Sequence, residues 1–270
     1  MFPTSDTRNS VALEVEADSS GPLPGSSEAS GGENAQARKR RRRDWTELFI
    51  AYTLIAAAVW TPLPWQRWLS LAALLFVIFA TWRSFDGWRA MGFRVVNGFR
   101  GFWRAGWVIA VALVLTAASA SVAAWLHTLH SPPSLPQFAA RYWSYSIWAF
   151  LQEFLLLNFF LLRLMRLMPT PWRAAIAATL LFALMHLPSP ILTPLTFIWG
   201  LAACLIFLRY RNIYIPAIAH AIFGICIAIT VPGPVDHNMR VGLGYLTYHQ
   251  HGHRHSSTFT GTKSTTPYPQ

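Results

Sequence analysis

The sequence predicts an all-α fold: a polytopic transmembrane helical bundle with about seven spans. Three observations support this prediction. The 270-residue chain is 53% hydrophobic with a mean hydropathy of +0.33, which is too apolar for an ordinary soluble domain. Its apolar residues come in long runs, several of them near the roughly 20 residues that a helix needs to cross a bilayer. Its arginines flank these runs instead of interrupting them.

Seven apolar segments define the predicted helices. They cover about residues 46–62, 66–82, 105–126, 143–162, 173–188, 191–208 and 213–230. Some are shorter than the roughly 20 residues that an upright span requires. We expect the fifth and sixth segments to be joined by a tight turn, because the sequence between them reads LPSPILTP.

Three regions follow from this pattern. Residues 1–44 are predicted to be a disordered tail that ends in a basic run, because residues 1–37 are too polar and Gly/Ser-rich to offset the entropy of folding. Residues 45–230 form the transmembrane helical domain, whose first helix would serve as the targeting signal, since no apolar signal-peptide core precedes it. Residues 231–270 are a polar, His-rich tail. Its stretch HQHGHRH (249–255) is of a kind that binds metals, but we expect a solvated tail.

The distribution of arginine predicts the orientation in the membrane. Arginines cluster in alternate connections, beginning with the run RKRRRR at residues 38–43, whereas the loops of the opposite side hold only Arg67 and Arg141. Cytoplasmic loops carry the excess of Lys and Arg. The sequence therefore predicts a multi-pass protein of the cell (plasma) membrane with a cytoplasmic N-terminus.

The basic character of the chain has two interpretations. A net charge of +11 and the run at 38–43 are compatible with nucleic-acid binding. The positive-inside pattern explains the same charges, so we expect no nucleic-acid partner. The connection 83–104 interleaves Arg with Trp and Phe, which between two spans indicates an interfacial segment on anionic lipid headgroups.

Three ionisable residues lie where a membrane protein tolerates them least. Glu153, in FLQEFLLLNFFLLRLMR, is the only acidic residue between Asp86 and Asp236, and only His186 and His220 among nine histidines fall within apolar segments. A charged side chain at the bilayer centre costs about 2.5–3.5 kcal/mol on insertion scales and usually faces a protein interior or cavity. Each could be satisfied singly by a helix–helix hydrogen bond. Because the three lie on different segments, we expect them to converge.

The chemistry of these three residue types is coherent. A carboxylate in a low-dielectric pocket suits general acid–base catalysis, one imidazole can orient it, and another can donate a hydrogen bond to a developing oxyanion. No Ser or Cys nucleophile with a base beside it is evident, and Cys204 and Cys226 are predicted to be buried hydrophobes. Water activated by Glu153 is therefore the expected nucleophile, and hydrolysis of an amide is the expected reaction.

Two other classes of membrane protein remain open at this point. His186 and His220 could be the axial ligands of a b-type haem. Glu153 could be the proton relay of a transporter. A coloured preparation with a Soret band would indicate the first, and proton-coupled uptake into proteoliposomes the second.

The three segments resemble the CPBP family of intramembrane proteases, which includes the CAAX prenyl endopeptidases and the bacterial abortive-infection-type proteins. The family carries the motifs Glu-Glu-x-x-x-Arg, Phe-x-x-x-His and His-x-x-x-Asn, each on its own transmembrane helix. Here EFLLLN, FALMH (Phe182 to His186) and HAIFG stand at these motifs. The resemblance covers about residues 142–230.

The motifs depart from the family pattern at three positions. In the preferred register Glu153 takes the first Glu, while Phe154 and Asn158 replace the second Glu and the Arg. The other register would place Gln152 on the first Glu and leave an amide at the catalytic position. In the third motif Gly224 stands where the family often has Asn, which would remove one oxyanion donor.

The resemblance implies a role for each site residue. Glu153 would activate water, His186 would assist it, and His220 would stabilise the tetrahedral intermediate. The supporting positions are Asn158, Phe182 and Gly224. No cofactor is expected: one Glu and two His could ligate zinc, but no separate base would then remain.

The function implied is that of a glutamic-type intramembrane endopeptidase acting on a membrane-anchored protein or peptide. The alternative is a catalytically inactive, protease-like scaffold or binding protein, which the missing Arg and Asn motivate.

Overall fold

The computed structural model describes residues 26–85, 87–93, 98–132 and 134–248, and this part of the chain contains helices and no strands. The predicted all-α fold is therefore confirmed. Each of the seven apolar segments lies mostly within helix. Within the described ranges, the α-helices up to Thr230 are α1 (Ser26–Trp60), α2 (Trp65–Arg83), α3 (Gly98–Trp125), α4 (Leu135–Glu153), α5 (Leu162–Leu167), α6 (Pro171–Leu184), α7 (Leu192–Tyr210) and α8 (Tyr214–Thr230).

The number of spans differs from the predicted seven. Among the described residues, four helical stretches are long and apolar enough to cross a membrane, and a pair bent by 118° after Thr230 brings the count to five if it is taken as one span. Helix α6 has 14 residues, which at 1.5 Å per residue gives about 21 Å against a hydrocarbon core of about 30 Å. The count of seven is thus not confirmed.

Both ends of the described chain contain more helix than the sequence analysis assigned to them. Helix α1 begins at Ser26 and includes the basic run, because residues 34–43 are mostly Ala, Gln, Lys and Arg, which favour helix. Beyond α8 come three short turns of helix. These are α9 (Gly233–Asp236), a 3₁₀ turn (His237–Met239) and α10 (Gly242–Leu246). Residues 1–25 and 249–270 lie outside the described residues.

The fourth apolar segment is one continuous helical stretch, Leu135–Leu167, whose middle is a π-helix. The π-helical segment covers Phe154–Leu161 and begins directly after Glu153. π-Helical turns are rare and frequently lie at functional sites. The acid therefore stands at the point where the helix widens.

Helix α8 lies between α3 and α4, and α6 packs on α7. Small residues, among them Ala112 and Ala219, are fully buried between α3 and α8 and allow the backbones to approach closely. The first turn of α8 is capped by Asn212, whose Oδ1 accepts hydrogen bonds from the backbone N–H groups of Tyr214 and Ile215 at 2.8 and 3.2 Å. These contacts determine where α8 places its histidine.

One buried and one partly buried ion pair join α1 to α5. Arg163 is 2% exposed and donates to Glu47 Oε2 from both Nε and Nη2, at 3.0 and 2.9 Å. The same guanidinium also donates to the Ala80 carbonyl and the Ser84 hydroxyl of α2 and its C-cap, at 3.0 and 2.9 Å. One turn further along α5, a second arginine binds Asp44 through two hydrogen bonds of 2.8 and 3.0 Å. These pairs fix α1 and α2 against the helix that carries the acid.

Replacing Arg163 by Met should destabilise the protein by about 3–5 kcal/mol, because the substitution leaves the buried Glu47 with only its longer, 3.7 Å ion pair to Arg43. The midpoint of thermal aggregation in detergent measures the loss. Arg173→Met removes the same charge from an exposed position at the start of α6 and should leave the midpoint unchanged. The double variant Arg163→Met with Glu47→Met should recover most of the loss. Equal midpoints for Arg163→Met and Arg173→Met would contradict a structural role for the pair.

Candidate active site

Glu153 is fully buried at the end of α4. Its Oε1 atom accepts two hydrogen bonds, from the indole Nε1 of Trp199 at 2.7 Å and from Nδ1 of His220 at 2.8 Å. Its Oε2 atom is also buried but has no hydrogen-bond partner among the described residues. The carboxylate is therefore held through one oxygen while the other keeps its lone pairs free.

His220 reaches this carboxylate from the middle of α8 and is 7% exposed. A carboxylate oxygen accepts, so Nδ1 of His220 carries the proton of the 2.8 Å bond. Within the described part of the chain, Nε2 forms no hydrogen bond. The imidazole packs edge-on against Trp199, with ring centroids 6.2 Å apart. His220 thus contacts the acid with one nitrogen and keeps the other for a ligand.

His186 lies in the turn that follows α6 and is 9% exposed. Its Nδ1 bonds to the backbone carbonyl of Phe182 at 2.9 Å. A carbonyl can only accept, so Nδ1 is protonated, and in the neutral ring Nε2 is a hydrogen-bond acceptor. The Phe182 ring lies beside both imidazoles, with centroid distances of 4.9 Å to His186 and 6.3 Å to His220. The structure brings both histidines to one aromatic ring and brings only His220 into direct contact with Glu153.

Trp199 of α7 is a site residue that the sequence analysis missed. It donates to the acid and packs against His220 and Phe223. A tryptophan within an apolar segment is normally interpreted as part of a hydrophobic face or an interfacial belt. Only its indole N–H distinguishes it from the apolar residues around it, and nothing in the sequence indicates where that N–H points.

The π-helical segment determines the direction of Asn158. Five residues separate it from Glu153, and in an α-helix this spacing places two side chains about 140° apart around the axis. A π-helix closes its hydrogen bonds from residue i to i+5, which brings residue i+5 back toward the side of residue i. Asn158 is 2% exposed, and neither atom of its amide finds a partner among the described residues.

Because the Asn158 amide is buried without a partner among the residues that the structure describes, replacing it by Leu should leave the melting temperature unchanged or raise it. A buried unsatisfied polar group costs about 1–3 kcal/mol, whereas an apolar group of similar shape costs little. Thermal unfolding in detergent measures the change, and Thr179→Val is the comparison, since that buried hydroxyl donates to Cys204 at 3.8 Å. A loss of several degrees in Asn158→Leu would show that the amide is paired in the folded protein.

Gly224 lies against a tyrosine of α4. A Cβ atom at this position would overlap the hydroxyl oxygen and the ring of Tyr145. A phenol thus fills the space that the missing side chain leaves.

No three His, Cys, Asp or Glu side chains within the described ranges are grouped so that they could hold a metal ion. Glu153 and His220 form a pair, and His186 lies beside the Phe182 ring. The prediction that no cofactor takes part therefore stays a prediction, and the His-rich stretch 249–255 lies outside the described residues.

The site offers an acceptor oxygen on Glu153 and an acceptor nitrogen on His186, both in a buried setting. It also offers a hydrogen-bonding nitrogen on His220. Groups in a low-dielectric site interact more strongly with a developing charge than the same groups in water. The arrangement is suited to taking a proton from a small nucleophile and to binding the oxyanion that forms.

Comparison with known protein families gives a match over part of the chain. Residues 134–226 match the family model of the Rce1-like type II CAAX prenyl endopeptidases. The comparisons with curated proteins and with solved structures give no significant match. The matched range contains every residue of the site described above, and the resemblance stated from the three motifs is confirmed. Over residues 134–226 this multi-pass membrane protein is similar to the Rce1-like type II CAAX prenyl endopeptidases, and that similarity implies a protease.

Proposed function

We propose that the protein is an intramembrane endopeptidase that cleaves a membrane-anchored protein or peptide with a water molecule activated by Glu153. One observation carries the proposal: the only buried acid of the matched range has one oxygen held by two donors and the other oxygen free. A general base needs a fixed position and an open lone pair, and Glu153 Oε2 has both.

In this mechanism Glu153 Oε2 takes a proton from water as the water oxygen attacks the carbonyl carbon of the scissile peptide bond. His186 helps to position the water by accepting its second proton in a hydrogen bond at Nε2. The carbonyl oxygen becomes an oxyanion. Glu153 then gives its proton to the leaving nitrogen, the C–N bond breaks, and a carboxyl and an amine are released.

His220 stabilises the oxyanion when both of its nitrogens carry protons. Its Nδ1–H is bonded to Glu153, so a second N–H at Nε2 requires the imidazolium form. An imidazolium beside an ionised carboxylate is a net neutral pair, which reduces the cost of burying either charge alone. The pair therefore supplies a base and an electrophilic donor at once.

The substrate class follows from the family and the membrane. The family is described as prenyl endopeptidases, and for this chain we propose the broader class of membrane-anchored proteins or peptides. We place the protein in the plasma membrane; the asymmetry of arginine supports a cytoplasmic N-terminus, and the Arg- and Trp-bearing connection after α2 supports contact with anionic headgroups.

The test compares wild type and Glu153→Gln in proteoliposomes. It measures how fast each cleaves an internally quenched, prenylated peptide that ends in a CAAX sequence. A parallel comparison of membrane proteomes from cells that carry either form should reveal an anchored protein that persists uncleaved with Glu153→Gln. Identical cleavage and identical proteomes would leave the inactive scaffold as the better description of the chain.

A further inference from the structure

The contact between Gly224 and Tyr145 lies beside the candidate catalytic residues. Gly224 follows His220 by one turn of α8, so the two positions share a face of that helix. Tyr145 precedes Glu153 by about two turns of α4, and Ala149 between them is fully buried and small. The phenol therefore meets α8 on the stripe of α4 that leads to the acid.

The overlap at Gly224 is specific in its atoms. A Cβ there would meet the Tyr145 hydroxyl oxygen first, then Cζ and Cε1 of the ring. The end of the phenol, and not its flank, thus occupies the place where a side chain at position 224 would begin. Within the described part of the chain the Tyr145 hydroxyl forms no hydrogen bond. Tyr and Trp polar groups usually find a partner when buried, so this partly buried O–H is a donor without an assigned use.

We propose that the Tyr145 hydroxyl donates the second hydrogen bond to the oxyanion, beside His220. The position of Gly224 is that of the motif Asn, whose amide would serve as donor from α8. In this chain the donor comes from α4 instead, and the glycine is what makes room for it. The inference rests on the proposed function, since it assigns a donor for the oxyanion of that hydrolysis.

Tyr145→Phe is the direct test, because it removes the hydroxyl and keeps the ring against Gly224. Loss of one oxyanion donor typically lowers kcat by about 10²–10³-fold. We expect a fall of that size for the prenylated CAAX peptide in proteoliposomes, with KM and the thermal midpoint unchanged. Tyr142→Phe is the matched control: it removes a phenol hydroxyl from a buried residue one turn earlier on α4, and it should retain wild-type kcat.

A second pair of variants tests whether the two positions share one role. Gly224→Asn alone should lose activity, because its side chain would overlap the phenol. Combining Gly224→Asn with Tyr145→Ala removes the obstacle and should give a kcat at least tenfold above that of Tyr145→Ala alone. A folded double variant that is no faster than Tyr145→Ala would count against the shared position.

The outcomes separate this inference from the proposed function. If Glu153→Gln is inactive while Tyr145→Phe keeps wild-type kcat, the tyrosine is not an oxyanion donor and the endopeptidase proposal stands. If Tyr145→Phe changes only KM or the thermal midpoint, its role is packing and the inference is overturned. If Glu153→Gln keeps full activity, the glutamate mechanism fails.

Discussion

Purified Glu153→Gln is expected to cleave the prenylated CAAX peptide about 10²–10⁴-fold more slowly than wild type, which is the range that a general base contributes. The substitution is nearly isosteric. Its amide oxygen can still accept from Trp199 and His220, while an NH₂ group replaces the free Oε2. That group cannot take a proton from water. The loss should therefore appear in kcat, with the thermal midpoint close to that of wild type.

Two variants sharpen this experiment. Gln152→Ala changes the preceding, half-buried residue and should keep wild-type kcat. A large loss there would revive the register that places Gln152 on the first Glu of the motif. Glu153→Asp keeps a carboxylate but withdraws it by one methylene, so it should fall between wild type and Glu153→Gln. If Glu153→Gln retained most of the wild-type kcat, the activated water would need another base.

The sequence was sufficient to predict that the buried acid has a partner, because the reasoning rests on the free-energy cost of burying a charge. A carboxylate and two imidazoles in apolar segments must be compensated. Glu153 and His220 compensate each other through a 2.8 Å hydrogen bond, although they are far apart in the chain. His186 is compensated by its own helix, through the Phe182 carbonyl. The free-energy cost of burying an ionisable side chain predicts that it has a partner, but does not predict which residue that partner is.

Three features of the site could not be predicted from the sequence, because they depend on the direction in which side chains point. Trp199 and Tyr145 each present one polar atom on an aromatic ring, and in the sequence both are interpreted as hydrophobic residues of membrane helices. The π-helical segment changes which residues share a face of the helix. In so apolar a run, the spacing of apolar residues does not distinguish a π-helix from an α-helix. Asn158 was assigned by its place in a motif, and its orientation depends on that widened turn.

The ion pairs between α1 and α5 show a different limit of prediction from sequence. The arginines after the fourth apolar segment were counted as cytoplasmic charge, and two of them are paired with acids of α1. The acids lie three residues apart, at 44 and 47, and so do the arginines, at 163 and 166. Spacing of this kind places each pair on one helix face. The match between the two faces is recognisable only once the packing of α1 against α5 is known.

His220→Gln is the second variant with a large expected effect. The Gln amide can still donate one hydrogen bond to Glu153, but it supplies neither a positive charge nor a second N–H for the oxyanion. We expect kcat to fall about 10²–10³-fold, as for the loss of an oxyanion donor. His130→Gln is the matched control, because that histidine is exposed in the loop before α4 and outside the site. It should retain wild-type kcat.

Combining His220→Gln with Glu153→Gln tests whether the two residues act as one unit. Residues that act together show strongly non-additive losses, because once one is removed the other has nothing left to assist. We therefore expect the double variant to be no slower than Glu153→Gln alone. If the two losses multiplied instead, the residues would contribute independently, and the 2.8 Å hydrogen bond between them would be a structural contact without a part in the reaction.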